Sequence, residues 1–477
     1  MRVVRLAPPS LTPLSQLLTP YGVEFPCGGA GVCRGCRVRV VEGMLAVTPQ
    51  MEQCLTREEL AEGWRLACCA ETAEPVVLEV AQWEASILAD ETPFPFTPRE
   101  GRGIAVDIGT TTLAAQLVDL STGEVLGVET ALNPQALHGS DLMSRVEFAM
   151  GDGRLTRMIR EAVGGMVNNL GGADVVTLVG NSVMQHLFCG RDVTPFASAP
   201  FEAPDLGEAV FQPNELGWSG ETRFLESIGG FVGSDILAGI HACGMPLHRE
   251  LTALIDLGTN GEIVVGNKDR MLCASTAAGP AFEAGRIRMG MRATAGAIAH
   301  VHTRDGRLQC SVIGDEEPHG VCGSGLIESV AAALDLGLMQ PSGRLAGGAK
   351  TLPLMGDVAL SQSDIRELQL AKAAIAAGLR ILLHQLGAEF EDVTRLYLAG
   401  AFGNYVDIGA ARRIGLIEVD PARVQASGNT ALRGAKMSLF ERLPPIAITH
   451  VPLASDPRFE DLFMDCLAFP ESPLLAH

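Results

Sequence analysis

One short pattern occurs twice in this chain, and it restricts the fold more than any other feature of the sequence. In each copy an apolar strand ends in Asp-x-Gly-Thr and is followed by a second apolar strand, first over residues 104–118 and again over residues 254–265. A supersecondary unit repeated within one chain indicates an architecture built by duplication. A single Asp-x-Gly-Thr is explained by a turn alone. Two copies, each between apolar strands, predict two hairpins that face each other across a nucleotide-binding cleft.

The residue types in these turns suit phosphate and Mg²⁺. Glycine and threonine in a tight turn present backbone N–H and hydroxyl groups to phosphate oxygens. An aspartate at a strand end can hold Mg²⁺ through water or orient an attacking water, so Asp107 and Asp256 are the catalytic candidates. A third glycine turn, within residues 396–404, would let the backbone lie against an adenine and ribose. The predicted nucleotide-binding residues are Gly109, Thr110, Thr111, Thr112, Gly258, Thr259, Asn260, Gly261, Gly400, Gly403 and Asn404.

A second pattern lies near the amino terminus, where three cysteines have the spacing C-x5-C-x2-C. They are Cys27, Cys33 and Cys36, on a glycine-rich loop, and a fourth cysteine follows at Cys68 or Cys69. Four thiolates, three on one loop and one distant, are what a [2Fe–2S] cluster of the ferredoxin kind requires. Glycines give such a loop conformations closed to other residues and let N–H groups approach the sulfides. Zinc is the alternative, but a zinc site usually shows two C-x2-C pairs and does not need the glycines.

Composition limits the classes of function. With 477 residues the chain is long enough for about three domains. A net charge of −20 and a pI near 4.9 argue against nucleic acid and anionic membranes as partners. The cysteines outside the cluster set are scattered singly, which is not a secreted disulfide framework. The start has no signal-peptide core, and the most apolar run, residues 371–386, carries Lys372 and Arg380. We therefore expect a cytoplasmic protein.

These features divide the chain into four segments. Residues 1–83 are predicted to form a [2Fe–2S] ferredoxin-like domain, 84–102 a proline-rich linker, 103–248 the first half of an ATPase domain and 249–477 its second half. In the first segment we expect a helix over 10–18 with Ser10 as N-cap, a strand over 37–41, a helix opened by the capping box of Thr56 and Glu59, and a strand over 76–80. The prolines at 93, 95 and 98 predict a semi-extended tether that cannot join a core. Such a tether either lets the redox domain swing or is a passive spacer.

Other segments are expected to have structural roles. Three further glycine turns lie at residues 179–181, 228–235 and 321–325. A turn of this kind is more often the start of a helix than a binding site, and we expect the last one to open a helix over 326–334. Residues 364–386 have the spacing of a core helix. His186 is interpreted as a packed helical histidine rather than a catalyst.

The two Asp-x-Gly-Thr hairpins and the late Ala-Gly-Ala-Phe-Gly-Asn resemble the actin–hexokinase–sugar kinase–Hsp70 ATPase superfamily. With a [2Fe–2S] segment in front, the whole chain resembles the reductive activators of corrinoid enzymes, and residues 261–262, 274–283 and 364–375 are further matching stretches. The resemblance implies an α/β protein: a β-grasp-like [2Fe–2S] domain, a linker and a duplicated ribonuclease-H-like ATPase core. It also implies ATP-dependent reduction of a Co(II) corrinoid to Co(I), with the cluster, ATP and Mg²⁺ as cofactors. The implied partners are a corrinoid protein and a low-potential electron donor, and a homodimer is left open.

The sequence departs from this family in two places. Only 26 residues precede Cys27, so the first hairpin of a ferredoxin fold is expected to be abbreviated. Cys69 directly follows the matching cysteine, and we choose Cys68 as the fourth ligand because it keeps the Leu-Ala-Cys register.

The thermodynamics explain why a redox domain and an ATPase share one chain. A plant-type cluster at about −400 mV does not readily reduce Co(II), because Co(I) corrinoids are strong reductants. ATP helps only by favouring one conformation over another. The hypothesis is that closure of the cleft around Mg-ATP reshapes a corrinoid-docking surface and weakens axial ligation of Co(II), and that ATP turnover then releases the reduced partner.

Three other functions are compatible with parts of the sequence. A small-molecule kinase with a fused redox sensor would use the same cleft. Activators of acyl-CoA dehydratases resemble this superfamily, but they carry a [4Fe–4S] cluster between subunits and no ferredoxin domain. A redox or scaffold protein with an inactive ATPase is the third alternative.

Overall fold

The computed structural model describes most of the chain. The described residues are 2–18, 21, 23, 31, 36–80, 90–139, 141–202, 204–400, 403 and 405–471. Within them, no helix is both long and apolar enough to cross a lipid bilayer.

The first unit is a small antiparallel sheet with short helices. Its elements are β1 (Arg2–Leu6), β2 (Thr12–Pro13), α1 (Leu14–Leu18), β3 (Arg37–Glu42), α2 (Pro49–Cys54), α3 (Arg57–Ala61), β4 (Trp64–Leu66), β5 (Glu71–Thr72) and β6 (Val76–Val80). The sheet has the order β1–β6–β3–β4, and β2 pairs separately with β5. The expected strands β3 and β6 are confirmed, as is the capping box of Thr56 and Glu59 at the start of α3.

The helix predicted over residues 10–18 is wrong in its start. Helix α1 begins only at Leu14, and Thr12 and Pro13 are instead extended and pair with β5. The cause is Pro13, because the residue before a proline is driven out of the helical region and Ser10 is then too far away to cap the helix. Strand β1 pairs with β6 rather than with the two-residue β2, which agrees with the expected abbreviated hairpin.

The second unit is a six-stranded sheet with helices on both faces. Its elements are β7 (Arg102–Ile108), β8 (Thr112–Asp119), β9 (Val125–Leu132), α4 (Leu142–Ala149), α5 (Arg154–Asn169), β10 (Val175–Gly180), α6 (Ser182–Cys189), β11 (Ala209–Phe211), β12 (Glu221–Phe224) and α7 (Ser234–Ala242). The strand order is β11–β12–β10–β7–β8–β9. The central β7 is antiparallel to β8 and parallel to β10.

The third unit contains a second six-stranded sheet. Its elements are β13 (Thr252–Leu257), β14 (Gly261–Gly266), β15 (Met271–Thr276), β16 (Ala297–Arg304), β17 (Arg307–Val312), β18 (Gly320–Val321), α8 (Gly323–Asp335), β19 (Thr351–Met355), β20 (Val358–Ser361), α9 (Gln362–Leu386), β21 (Arg395–Ala399), α10 (Ile408–Arg413), β22 (Val424–Gly428), α11 (Thr430–Phe440), β23 (Ile448–His450) and α12 (Phe459–Leu467). The order of the large sheet is β22–β21–β13–β14–β15–β23. The predicted core helix is α9, and α8 begins at Gly323, earlier than expected.

The two large sheets share one strand topology. In each, an antiparallel hairpin (β7–β8 or β13–β14) is followed by a third antiparallel strand, and the first hairpin strand has a parallel neighbour on its other side. This repetition confirms the duplicated α/β core expected from the two Asp-x-Gly-Thr patterns.

Helices α7 and α11 lie between the sheets and interlock the two halves. Helix α11 belongs to the second half but packs Ala431, Ala435 and Leu439 against the first sheet. Helix α7 belongs to the first half but packs Ile236 and Ile240 against the second sheet. Neither half can therefore bury both faces of its own sheet, and the hydrophobic effect holds the halves together through these two helices.

The described part of the linker is not the detached tether that the prolines predict. Asp90 is buried at 4% exposure, and the rings of Phe94 and Phe96 pack against Phe440 of α11. The prolines keep this segment extended, but the alternating phenylalanines give it an apolar side that joins the surface of α11.

A testable consequence concerns the contact between α7 and α11. A Cβ added at Gly434 would overlap the backbone carbonyl of Ala238, whereas a Cβ at Gly165, on the exposed side of α5, would meet nothing. We expect Gly434→Ala to lower the free energy of unfolding by about 1–3 kcal/mol, because the helices must move apart. Gly165→Ala, the matched control, should raise it by about 0.5–1 kcal/mol through helix propensity. Urea unfolding of both variants measures the difference, and equal effects would contradict the packing described here.

Candidate functional site

The turns of the two hairpins meet between the sheets. The Thr111 hydroxyl, after β7, is 2.9 Å from the Thr259 hydroxyl, after β13. Each turn is closed by a backbone bond, from Gly109 N–H to the carbonyl of Thr112 and from Gly258 N–H to the carbonyl of Asn260. We call the space between these turns the cleft. The duplicated pattern thus forms one site with a contribution from each half.

The remaining predicted nucleotide-binding residues lie in or beside these turns. The amide of Asn181 donates to the Thr110 hydroxyl at 3.1 Å, which ties the first turn to the start of α6. Thr112 and Gly261 are the first residues of β8 and β14. A side chain at Gly261 would collide with Ile375 of α9, so this glycine is explained by packing.

The third glycine turn also reaches the cleft. Gly400 has φ +87°, and a Cβ there would lie 2.7 Å from a carboxylate oxygen of Asp256. Only glycine suits this position, because other residues disfavour the conformation and any side chain would displace the aspartate. The N–H of Gly403 donates to the carbonyl of Gly400 at 3.1 Å and closes the turn. Asn404, also predicted to bind nucleotide, lies outside the described residues.

Asp107 and Asp256 occupy equivalent positions, each one residue before the end of its strand. Asp107 accepts a hydrogen bond from the side-chain amide of Asn429 at 3.0 Å, and Asn429 is the N-cap of α11. The structure brings two further acids close to this pair. Asp235 lies in the first turn of α7, and Glu262 lies on β14 directly across from Asp256.

Burial raises the pKa of all four carboxyl groups, and for Asp235, Asp256 and Glu262 a neighbouring carboxylate adds to the shift. Desolvation raises the pKa of Asp107 to about 6, and desolvation together with the charge of Asp107 raises the pKa of Asp256 to about 7. The pKa values of Asp235 and Glu262 are also raised, by desolvation and then by neighbouring carboxylates. Among the ion pairs that described residues form with each other, none includes these four acids. Acids held together in this way favour binding of a cation.

The chemistry of these side chains fits Mg²⁺ held together with phosphate. The described residues contain no group of three or more His, Cys, Asp or Glu side chains positioned to hold a metal ion directly. Mg²⁺ does not require such a group, because it usually keeps several waters and binds one or two carboxylates plus substrate phosphates. The cleft therefore fits water-mediated Mg²⁺ with a nucleotide.

Sequence reasoning missed four residues of this site. Asp235 stood in a glycine turn interpreted as a helix start, and it is both a helix start and part of the cleft. Glu262 and Glu283 appeared only within stretches of family resemblance. Glu283 accepts from the Thr259 hydroxyl at 3.3 Å and so supports the contact between the two turns. Asn429 had no sequence signal, because only folding brings it to Asp107.

Two other sequence interpretations concern the framework. His186 is buried, with Nδ1 2.8 Å from the carbonyl of Ser182, which confirms a packed helical histidine. The stretch 364–375 stabilises the surroundings of the cleft rather than lining it. Gln369 and Lys372 of α9 donate to the carbonyls of Leu467 and Ala468 near the carboxyl terminus.

The cysteine site is partly described. The Sγ atoms of Cys36 and Cys68 are 3.3 Å apart, and Cys69 Sγ is 3.5 Å from Cys68 Sγ. Cys27 and Cys33 lie outside the described residues. Two sulfurs in near contact can bind one iron, so this pair fits a [2Fe–2S] cluster. A Cβ at Gly31 would lie 2.6 Å from Cys69 Sγ, which shows that Cys69 is close to the ligand loop as well.

Taken together, the fold and the two sites define a class of protein, an α/β ATPase of the duplicated type joined to a [2Fe–2S] module. Family comparisons agree with this class over three segments that make up most of the chain. Residues 4–72 match a 2Fe-2S iron-sulfur cluster binding domain, 102–248 the RACo middle region, and 250–476 the C-terminal domain of RACo, the ASKHA domain. The chain is 34% identical over 415 residues to the corrinoid activation enzyme RamQ of Eubacterium limosum, an alignment covering 76% of this chain and 69% of that protein. The chain therefore belongs to the RACo family.

Two further relatives support this assignment. The [Co(II) methylated amine-specific corrinoid protein] reductase of Methanosarcina barkeri is 26% identical over 420 residues, which is 77% of each chain. A solved structure of a reductive activator for corrinoid, iron-sulfur protein superposes with a TM-score of 0.68 and 26% identity, covering 98% of this chain and 96% of that one. The family resemblance and the fold expected from the sequence are confirmed.

A first prediction tests the fourth cluster ligand. Cys68→Ser should abolish or strongly alter the cluster, because the Cys68 sulfur contacts that of Cys36, whereas Cys69→Ser should retain it. The measurements are iron and sulfide content of anaerobically purified protein, expected at two of each per chain for a [2Fe–2S] cluster, and the rhombic S = 1/2 signal after reduction. The reverse pattern would assign Cys69, and zinc in protein made with ample iron would exclude the cluster.

A second prediction follows from the raised pKa of Asp256. Folded protein holds a proton on this group that unfolded protein releases, so stability falls as pH rises from the ordinary range near 4 to the raised pKa of about 7. Without nucleotide or Mg²⁺, Asp256→Asn should therefore gain about 1–2 kcal/mol over wild type between pH 5 and pH 8, a modest value because water enters the cleft. Urea unfolding across this pH range measures the gain. The exposed Asp269→Asn is the control, and a gain equal to that of the control would contradict the raised pKa.

Proposed function

We propose that this protein is an ATP-dependent reductive activator of a corrinoid protein or corrinoid-dependent methyltransferase, which passes one electron to inactive Co(II) and returns it to Co(I). One observation carries the proposal. A thiolate pair, Cys36 and Cys68, and a carboxylate-lined cleft stand on one chain that aligns over 76% of its length with a protein named as a corrinoid activation enzyme.

The amino-terminal domain would hold the electron carrier. The proposed ligands are Cys27, Cys33, Cys36 and Cys68, and a bound [2Fe–2S] cluster supplies one electron at a time. Cys36 is 2% exposed and belongs to the core of this domain, so its sulfur is rigidly placed and shielded from water. Shielding lowers reorganisation around the site and helps to set its potential.

The cleft would bind and hydrolyse ATP. Asp107 and Asp256 would hold Mg²⁺, which would neutralise charge on the phosphates, and Asn429 fixes the orientation of Asp107. Asp235 would accept a hydrogen bond from the attacking water, which adds to the γ-phosphorus while the bond to ADP breaks, so that ADP, phosphate and a proton are released. The turns that would bind the nucleotide contain Gly109, Thr110, Thr111, Thr112, Gly258, Thr259, Asn260, Gly261, Gly400, Gly403 and Asn404.

Contacts of the redox domain with both ATPase halves support coupling between the two sites. Arg37, next to the ligand Cys36, donates to the carbonyl of His319 in the second half at 3.4 Å. Leu137 of the first half packs against the core of the redox domain. Closure of the cleft would change the distance between these two contact points. ATP binding would thereby favour one placement of the redox domain, as a coupled conformational equilibrium requires.

The proposal includes several finer points. The boundaries 1–83, 84–102, 103–248 and 249–477 are the proposed domains. A low-potential donor supplies the electron, and a cytoplasmic location suits a chain whose cysteines outside the proposed ligand set are scattered singly along the sequence. Homodimerisation is supported by β9, an edge strand that exposes Leu126 and Val128.

The proposal predicts that the cleft aspartates are required for activation. Asp107→Ala and Asp256→Ala should each lower ATP hydrolysis by about 10²-fold or more, because a group that organises Mg²⁺ or water is lost. Their cluster spectra should be unchanged, since the cysteines are in another domain. The exposed Asp269→Ala is the control. Normal turnover in both cleft variants would place the nucleotide elsewhere.

The activity itself is measured by absorbance of Co(I). Protein, ATP and a low-potential reductant should convert a Co(II) corrinoid protein to Co(I), and omission of ATP should stop the conversion. Failure with corrinoid proteins, together with ATP-dependent phosphorylation of a metabolite, would replace the proposal with the kinase alternative.

A further inference from the structure

The linker and the cleft touch the same stripe of helix α11. Asn429, Arg433, Lys436 and Phe440 are spaced by four, three and four residues, so their side chains follow one another along one side of the helix. Asn429 holds Asp107 in the cleft at 3.0 Å. The other three residues hold the linker.

The linker is held mainly by a buried ion-pair cluster. Asp90 is 4% exposed, and Arg433 donates to both of its carboxylate oxygens, at 2.7 Å from Nη2 and 3.2 Å from Nε. Lys436 lies 3.5 Å from the same carboxylate and donates to the backbone carbonyl of Asp90. Burial lowers the pKa of Lys436 and the charge of Asp90 opposes that shift, so the lysine depends on this partner. A passive spacer does not need a buried charge cluster.

Aromatic and backbone contacts extend the attachment. The rings of Phe94 and Phe96 lie 5.8 and 4.4 Å from that of Phe440. The Thr92 hydroxyl accepts from Arg433, and Arg99 donates to the carbonyl of Leu439. Residues 90–99 are therefore attached along the whole carboxyl-terminal part of α11.

Helix α11 can move with the cleft because it belongs to one half and packs on the other. Its opposite side contacts α7 at Gly434 and Ala238, and α7 carries Asp235 into the cleft. Mg-ATP bound between Asp107, Asp235 and Asp256 would act on the first turn of α7 through Asp235 and on that of α11 through Asn429. A rigid helix transmits a displacement of its first turn to its last.

We propose that Asp90 is a positioning residue for electron transfer, which anchors the linker to α11 so that the nucleotide state of the cleft sets the position of the redox domain. The role in electron transfer rests on the proposed function, but the distance measurement that tests the anchor does not depend on it. Electron transfer depends on the placement of the donor, so loss of the anchor uncouples ATP turnover from reduction while leaving both sites intact.

The test compares two pairs of the same residue types. Asp90→Asn with Lys436→Met removes one charge of each sign from the buried cluster. Asp269→Asn with Lys268→Met removes them from an exposed pair, in which Nζ and Oδ1 are 3.5 Å apart. A second anchor variant, Phe94→Ser with Phe96→Ser, changes no charge. It tests the attachment of the linker to α11 if the first variant does not fold.

The first measurement is the distance between the redox domain and the ATPase, which does not require a bound cluster. Dyes are attached through noncanonical residues at Met44 in the redox domain and Leu247 in the ATPase, both 83% exposed. In wild type, energy transfer between the dyes should change on adding a non-hydrolysable ATP analogue, and the exposed-pair control should behave like wild type. In both anchor variants the nucleotide-dependent change should disappear.

The second readout is coupling, measured as Co(I) formed per ATP hydrolysed. We expect the anchor variants to lose about tenfold while ATP hydrolysis stays within about twofold of wild type, a coupling of ordinary allosteric size. Wild-type energy transfer and coupling in both variants would overturn the inference, as would wild-type protein that shows no distance change with nucleotide. Absence of Co(I) even in wild type, with the distance change present, would instead overturn the proposed function and leave the anchor standing.

Discussion

The burial of four neighbouring carboxyl groups in the cleft is the constraint on which the rest of the structure depends. Asp107, Asp235, Asp256 and Glu262 come from both halves; burial raises the pKa of all four, and neighbouring carboxylates raise the pKa of the last three further. Such a group is unfavourable unless a cation or protons compensate it. The fold tolerates it because strands β7 and β13 and helix α7 are held by large apolar cores on either side. The apolar cores thus offset the cost of burying these carboxyl groups, and the resulting site favours Mg²⁺ with a nucleotide.

Helices α7 and α11 connect the cleft to the contact between the two halves. Each belongs to one half and packs on the sheet of the other, and each begins beside the cleft, with Asp235 in the first turn of α7 and Asn429 capping α11. A change in the cleft therefore acts on the contact between the halves. Linker residues 90–99 contact α11 as well, so the segment between the redox domain and β7 is attached to the same helix.

The sequence predicted the parts of the fold in which local pattern and tertiary context agree. The two hairpins, the capping box at Thr56, helix α9 and the close approach of Cys36 to Cys68 follow from residue types and spacing, and all are present. One error, the start of the helix predicted over 10–18, has the local cause Pro13, and the other arose where a distant segment decided the outcome. Proline spacing predicted a linker outside any core, yet Asp90 is buried because Arg433 and Lys436, far along the chain, offer it opposite charge.

What the sequence alone determined, then, is the chemistry: facing Asp-x-Gly-Thr turns, a thiolate set and the family to which they point. These are encoded locally, because a turn, a strand end and a ligand loop each need particular residues at short spacing. Only the tertiary structure decided which residues complete the cleft and what the linker contacts. Asp235 and Asn429 meet Asp107 and Asp256 through packing of the two halves, and Asp90 meets α11 through charge. Asn429 is 322 positions from Asp107 and Arg433 is 343 positions from Asp90, so no local pattern contains these contacts.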